Sequence, residues 1–280
     1  MKIINLIENT EGIKGCVFAH GLSFYAETAK HKLLLDLGPS ADTIKNASSL
    51  GVDLTAVDTV ILSHGHYDHS GGIIPFTKVN DRALIYMQES ATKDYYADDG
   101  MEASERFRYI GINKEIAGLP QVRFLSGGAT IDDELEIFTI QKRSHDLPFT
   151  NKRLLVLDKD KYLQDDFCHE HFLVIHQAGK SILMSGCAHN GILSILDAYK
   201  DKYGKAPDMV ISGFHLVKKT DYSDEEIEEI KTIAEELNKF PTKFVTCHCT
   251  GLPAFDIMKN IMGDKLEYVH SGEEISLCEI

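Results

Sequence analysis

The sequence predicts an α/β protein in which β-sheets pack on each other and helices cover their outer faces. In both halves of the chain, short apolar and β-branched runs alternate with amphipathic helical patterns. Two such halves bury their apolar faces most simply as packed sheets with helices outside. No repeat, low-complexity tract or Pro/Gly/Ser linker divides the 280 residues. With 43% hydrophobic and 26% charged residues the chain can fill a real core, and one domain over residues 1–280 is expected.

In the first half, strands are expected at residues 2–8, 23–28, 32–36, 59–63 and 83–87, with a helix at 41–50. The segment that follows is longer than a simple crossover needs. It reads as a helical insertion around 88–119, with a helix within 102–117, serving as a plain cover; a lid or a dimer arm are the alternatives. Arg106 and Arg108 within it are candidates to meet a phosphate from above the site, set against the ordinary reading of solvated arginines.

In the second half, strands are expected at 136–140, 153–157, 172–176, 181–185, 209–212, 243–246 and 268–270, with helices at 191–203, 224–239 and 254–262. Gln177-Ala178-Gly179-Lys180 reads as a hairpin turn in which Gly179 can take positive φ. Ser223 and Glu226 form a capping box, three acids load the first turn, Ile227, Ile230, Ala234 and Leu237 make one stripe, and Pro241 ends the helix. The acidic run is thus a solvated helix face.

Twenty-nine basic against 43 acidic residues leave a formal charge of -14, which repels polyanions, so a nucleic-acid partner is not expected and a small-molecule partner is. Six cysteines without a Cys-x-x-Cys pair predict a reducing compartment. Glu8 interrupts the N-terminal apolar run, which predicts no secretory leader, and no run is long enough to span a bilayer. A cytoplasmic protein without a membrane partner is expected.

The chemistry concentrates in Thr59-Val60-Ile61-Leu62-Ser63-His64-Gly65-His66-Tyr67-Asp68-His69-Ser70-Gly71-Gly72. An apolar strand runs directly into three histidines and an aspartate. At a strand end, period two puts His64 and His66 on one side, and the turn beyond can bring Asp68 and His69 to the same point. Imidazole and carboxylate suit zinc, iron, manganese or nickel, and the lack of a thiolate within the segment argues against a structural zinc site. A histidine-rich surface loop is the bland alternative; Gly71-Gly72, which permits close backbone approach, favours the metal.

This segment resembles the hallmark of the metallo-β-lactamase fold superfamily, and the resemblance extends over nearly the whole chain. It implies an αββα sandwich, two mixed β-sheets packed face to face with helices on the outside. Three further segments are similar to one subgroup: Ser185-Gly186-Cys187-Ala188-His189-Asn190-Gly191-Ile192, Ser212-Gly213-Phe214-His215-Leu216, and Cys247-His248-Cys249-Thr250-Gly251. That subgroup includes proteins assigned as the methanopterin-pathway synthase of a dihydropterin joined to ribofuranosyl-aminobenzene phosphate, and bacterial metal-dependent hydrolases.

The resemblance implies two divalent metal ions, zinc first among the candidates. His64 and His66 would hold the first, Asp68 and His69 the second, and His248 the second as well. His189 or His145 would complete the first site; His189 is preferred because it lies in the subgroup's own motif. Many relatives carry a bridging aspartate where this chain has Cys187, leaving a thiolate ligand or a buried small residue as alternatives. His215 is a candidate proton donor or oxyanion holder, or simply a packed strand-end histidine. His169 and His171 read as a solvated loop, with a place beside the metal ligands as the alternative.

The expected function is that of a dinuclear metallo-hydrolase acting with metal-bound hydroxide on a small phosphorylated or cyclic-phosphate substrate, pterin-related in its most specific version. Asp68 would orient the nucleophile and His215 supply the acid. Two other classes stand beside it: a di-iron redox or oxygen-handling protein, and a non-catalytic metal-binding or sensing protein whose ions staple loops together.

Overall fold

The computed structural model describes residues 1–277, so Cys278 lies outside the described residues. The first sheet joins β1 (Lys2–Ile7), β2 (Ser23–Glu27), β3 (Lys32–Leu35), β4 (Thr59–Ile61), β5 (Leu84–Gln88) and β8 (Val122–Leu125) in that order. Between its last two members the chain forms β6 (Tyr95–Asp98) and β7 (Phe107–Tyr109). The second sheet contains β9 (Ala129–Thr130), β10 (Leu135–Phe138), β13 (Phe172–Gln177), β14 (Lys180–Met184), β15 (Met209–Ser212), β16 (Lys243–Thr246) and β17 (Leu266–Tyr268). A third sheet pairs β6 and β7 with β11 (Leu154–Asp158) and β12 (Lys161–Gln164), in the order β12-β11-β6-β7.

Both large sheets mix parallel and antiparallel pairs, and the alternation of side chains sorts three apolar layers. Ile3, Phe24, Leu33, Leu35 and Ile61 meet Leu173, Ile175, Met184 and Ile211 between the sheets. Their neighbours Ile4, Tyr25, Leu34 and Val60 point to the opposite face, where Ala47 of α1 (Asp42–Ser49) and Phe76 of α3 (Ile73–Thr77) pack. On the far side, Phe172, Val174 and Val210 lie under α4 (Ile192–Tyr203), α5 (Asp224–Asn238) and α6 (Leu252–Met262). This is the expected αββα sandwich. Strands buried on both faces read as continuous apolar runs, which is why the sequence marked them clearly.

The capping box of α5 is present as expected, with Ser223 accepting from the Glu226 N–H. In the 177–180 turn, Ala178 and Gly179 take φ of 54° and 78°, the two successive positive values a type I′ hairpin requires. The insertion expected to be helical around 88–119 contains no α-helix, only 3-10 turns at Glu89–Thr92 and Lys114–Gly118. Residues 102–117 contain β7 and a 3-10 turn at Lys114–Gly118, and the segment contributes half of the third sheet. Gly100, at φ 94°, turns the chain so that Phe107-Arg108-Tyr109 can pair with Tyr95–Asp98. The alternation of Phe107 and Tyr109 with Arg108 and Ile110 suits a strand better than a helix once β11 supplies the next partner.

Candidate metal centre

The first ligand candidates stand where β4 leaves the sheet. His64 and His66 follow directly, and the single turn α2 (Tyr67–Ser70) carries Asp68 and His69 back towards them. Gly71 and Gly72 permit this return: a Cβ at Gly71 would sit 2.0 Å from the Pro39 carbonyl oxygen, and one at Gly72 2.1 Å from that of Leu37. His189 arrives from beyond β14, and His248 from beyond β16, on opposite sides of the cluster. His64, His66 and His189 bring ligand atoms within 4.8 Å of one another, as do His64, His69 and Cys187, and His20, Asp68 and His248.

Hydrogen bonds fix which imidazole nitrogen is bare. Asn151 donates Nδ2 to the His189 carbonyl at 2.7 Å, which orients its amide so that Oδ1 accepts from His189 Nδ1 at 2.9 Å. Asn9 does the same for His248. Its Oδ1 takes the Gly21 N–H at 3.3 Å and so must accept from His248 Nδ1, 2.8 Å away. Asp36, fully buried, accepts from His69 Nδ1 at 2.6 Å, from the Ser63 N–H and from the Ser63 hydroxyl, the last two at 2.7 Å. Since the Ser63 proton goes to Asp36, its oxygen accepts from His64 Nδ1 at 2.8 Å. Four rings therefore carry a proton on Nδ1, which leaves Nε2 as the atom available to a metal; at His69 burial lowers the pKa, but Asp36 and Asp68 outweigh it and raise it.

Among the described residues, the lone pairs of His64 and His189 meet without a protein donor, whereas His69 Nε2 faces the Cys187 thiol at 3.2 Å. His64 Nε2 faces His189 Nε2 at 3.3 Å, and burial holds both rings well below the usual histidine pKa, so neither brings a proton to the contact. The Nε2 atoms of His66 and His248 are buried without a hydrogen-bond partner. Lone pairs opposed across 3.3 Å, with orphaned imidazole nitrogens beside them, suit a cation. The residues present fit divalent metal ions.

Asp68 Oδ2 lies 3.3 Å from His20 Nε2, 3.5 Å from His248 Nε2 and 3.7 Å from His69 Nε2. Burial would raise its pKa, but His69, His248 and His20 outweigh it and hold the carboxyl well below its usual range. The Cys187 thiol is 3.2 Å from His69 Nε2 and also falls in a group with His248 and Cys249. Burial, reinforced by Cys249, pushes that thiol up.

His215 sits at φ 50° with its ring 4.1 Å from that of His189. Thr150 gives its proton to the His215 carbonyl, so its oxygen accepts from Nδ1 at 2.7 Å and Nε2 is left as an acceptor. Burial lowers the pKa of this ring to about 3. His145 is not brought to the cluster: it is exposed and bonds Asp197 Oδ2 at 3.0 Å. The solvated loop expected at 169–171 is instead buried. His169 accepts the Gly65 N–H at 2.9 Å and gives Nε2–H to Asp165 at 3.0 Å, close to His66, while Glu170 takes the His189 and Asn190 N–H groups. His171 bonds the Ser63 carbonyl through its backbone. The strap is drawn inward because the loops carrying His66 and His189 need these partners.

Sequence reasoning missed His20, Asp36, Asn9 and Asn151. The only signal was at Asp36, a strand-end acid before Leu37-Gly38 whose φ of 61° is one that aspartate tolerates better than most residues.

The fold and this cluster define a metal-dependent hydrolase-type scaffold, and the superfamily profile described as "Metallo-beta-lactamase superfamily" matches residues 18–199. The chain belongs to that superfamily. Among its relatives is the 7,8-dihydropterin-6-methyl-4-(beta-D-ribofuranosyl)-aminobenzene-5'-phosphate synthase of Methanocaldococcus jannaschii, 27% identical, with 98% of this chain and 96% of the relative covered. An uncharacterised protein of the same organism is 25% identical over 97% of this chain and 98% of its own length. The crystal structure of Tm1679, a metal-dependent hydrolase of the beta-lactamase superfamily, is similar with a TM-score of 0.81 and 27% identity, covering 99% of both chains.

Proposed function

We propose that the chain is a dinuclear metal-dependent hydrolase acting on a small phosphorylated or cyclic-phosphate compound. The observation that carries this reading is the convergence of bare, buried imidazole nitrogens on two adjacent points. His64, His66 and His189 would hold one divalent ion, and Asp68, His69 and His248 the other, with zinc the first candidate and iron, manganese or nickel the alternatives. Cys187 stands between the two groups, where a shared ligand would fall. Such ions lower the pKa of a bound water from about 15.7 towards about 7 and neutralise charge developing on a phosphoryl oxygen.

The side chains then divide the remaining work. Asp68, with Oδ2 between His20, His69 and His248, would accept a hydrogen bond from the attacking water and so orient it. His215, with Nδ1–H given to Thr150, would accept a hydrogen bond at Nε2, in place of the acid role the sequence suggested. The 27% identity to the pterin phosphate synthase over 98% of this chain supports a phosphorylated, pterin-related substrate as the most specific version of the proposal.

Elemental analysis of protein purified without chelator or histidine tag, together with hydrolysis of bis-(p-nitrophenyl) phosphate and p-nitrophenyl phosphate, tests the reading. Two metal equivalents and turnover that His66→Ala abolishes would support it. A chain that takes up no zinc, iron or manganese, or a His66→Ala variant that still turns over, would overturn it.

A further inference from the structure

The small third sheet forms one wall of the histidine cluster, and its register shows which side chains face inward. Tyr95 points inward, its ring centroid 4.1 Å from His169 and 5.9 Å from His66. By strand alternation Ala97 and Asp99 share the face of Tyr95, and Arg108 pairs opposite Ala97, so it shares that face too. Arg108 and Asp99 are thus a charged pair on an otherwise apolar surface of Tyr95, Ala97 and Leu154.

Asp99 holds two guanidinium groups. Arg108 donates Nε to its Oδ2 at 2.8 Å, and Arg153 donates Nη2 to its Oδ1. Both arginines thus meet at one carboxylate. The strand of Arg108 continues beside the ligand loop, where the Tyr67 N–H bonds the Ile110 carbonyl at 2.9 Å and His66 bridges Gly111; the charge of Arg108 acts on His20 and Tyr67, and that of Arg153 on His215. Lys219 is a third cation acting on Asp99. In a chain of net charge -14, this gathers three cations around Asp99, with Asp98 taken up by Arg106 alongside. Each guanidinium is half-exposed and has further N–H donors beyond those Asp99 uses. Arg106, in contrast, is turned outward into a bidentate pair with Asp98.

We propose that Arg108 and Arg153, held side by side on Asp99, form the recognition site for a dianionic phosphate monoester group on the substrate, a group held beside the metal positions rather than at them. This rests on the phosphorylated-substrate reading above and assigns where the phosphate is bound. Asp99 positions both forks and limits their attraction for monovalent anions, since a dianion is needed to displace its share of the charge.

Calorimetric titration of the metal-replete protein with phenyl phosphate, with benzoate as the carboxylate comparison, tests the assignment. Arg108→Gln and Arg153→Gln are each expected to weaken phenyl phosphate binding by roughly 10-fold, the worth of one charge-assisted hydrogen-bonded contact. Metal content should be unchanged, and Arg106→Gln should bind as the parent does. Parental affinity in both inner variants, or benzoate binding as tightly as phenyl phosphate, would overturn the proposal. The two readings fail separately. Two bound metals and phosphodiester turnover with unaltered phosphate affinity sink the arginine site alone. Arginine-dependent phosphate binding by a chain without metal or turnover sinks the hydrolase alone.

Discussion

Asp36→Asn changes one atom of a buried carboxylate and should reverse two histidines. Asparagine keeps an oxygen for the Ser63 N–H, but its NH2 then faces the Ser63 hydroxyl and His69 Nδ1, where the carboxylate had accepted at 2.7 and 2.6 Å. With a donor opposite, His69 must take its proton on Nε2. Ser63, now accepting from the amide, turns its own proton to His64 Nδ1, 2.8 Å away, and moves that ring's proton to Nε2 as well. One ligand candidate in each group of three thereby loses its lone pair. Loss of such a partner behind a metal ligand costs about 10- to 100-fold in affinity, or roughly 1.4–2.7 kcal/mol per ion. Competition with a chromophoric chelator should show both equivalents weakened by that factor, while circular dichroism confirms the fold. A folded Asp36→Asn variant that retains both metals at parental affinity would refute the tautomer argument.

His189→Ala should lose one metal equivalent by elemental analysis, whereas His145→Ala, whose ring is engaged with Asp197, should retain both. Gly71→Ala would press a Cβ to 2.0 Å from the Pro39 carbonyl and should destabilise the fold by about 3 kcal/mol or more in urea denaturation; parental stability would show that the loop can yield. Asn151→Ala removes both the Nδ1 acceptor and the carbonyl donor at His189, and should weaken the metal held with His64 by about 10-fold or more, read by the same chelator competition. His31 lies between Asp58 at 2.8 Å and Asp132 at 3.0 Å; burial lowers its pKa, but the two carboxylates outweigh this and raise it. A raised histidine stabilises below its unfolded value of about 6.5, and the contribution fades as pH rises through the folded value. The melting-temperature gap between the parent and His31→Gln, worth roughly 1 kcal/mol, should therefore be wider at pH near 5.5 than near 8.5; a gap that widens with pH would refute it.

The sandwich was legible because strands buried on both faces leave unbroken apolar runs, as at Leu33-Leu34-Leu35 and Ile182-Leu183-Met184. Of the third sheet only β11 was legible, as the strand expected at 153–157; β12 is exposed along its length and β7 has no fully buried residue, so neither shows the buried run that marks a strand. In the site, contiguity decided the matter. His64 to His69 announce themselves within six residues, and His189 and His248 stand after recognisable strands. Asn9, Asp36 and Asn151 are single polar residues whose meaning comes only from the ring they touch across the fold, and nothing local distinguishes them from loop residues. His20 escaped notice for the same reason, since it reaches Asp68 only because the chain folds back at Gly21, where a Cβ would lie 2.5 Å from the Asp68 carbonyl oxygen.

Glu8 connects the two ends of the chain to the cluster: one carboxylate oxygen takes the His248 N–H at 2.9 Å, from 240 residues away, and the Tyr268 hydroxyl at 3.0 Å, while its backbone bonds Ser271. A contact spanning 240 residues closes late in folding, after the intervening sheets have brought the two segments together. The His64 to His69 run is local in sequence and needs no such closure, so the two sides of the cluster differ in when they are assembled: one is set by a single turn, the other by the completed sandwich.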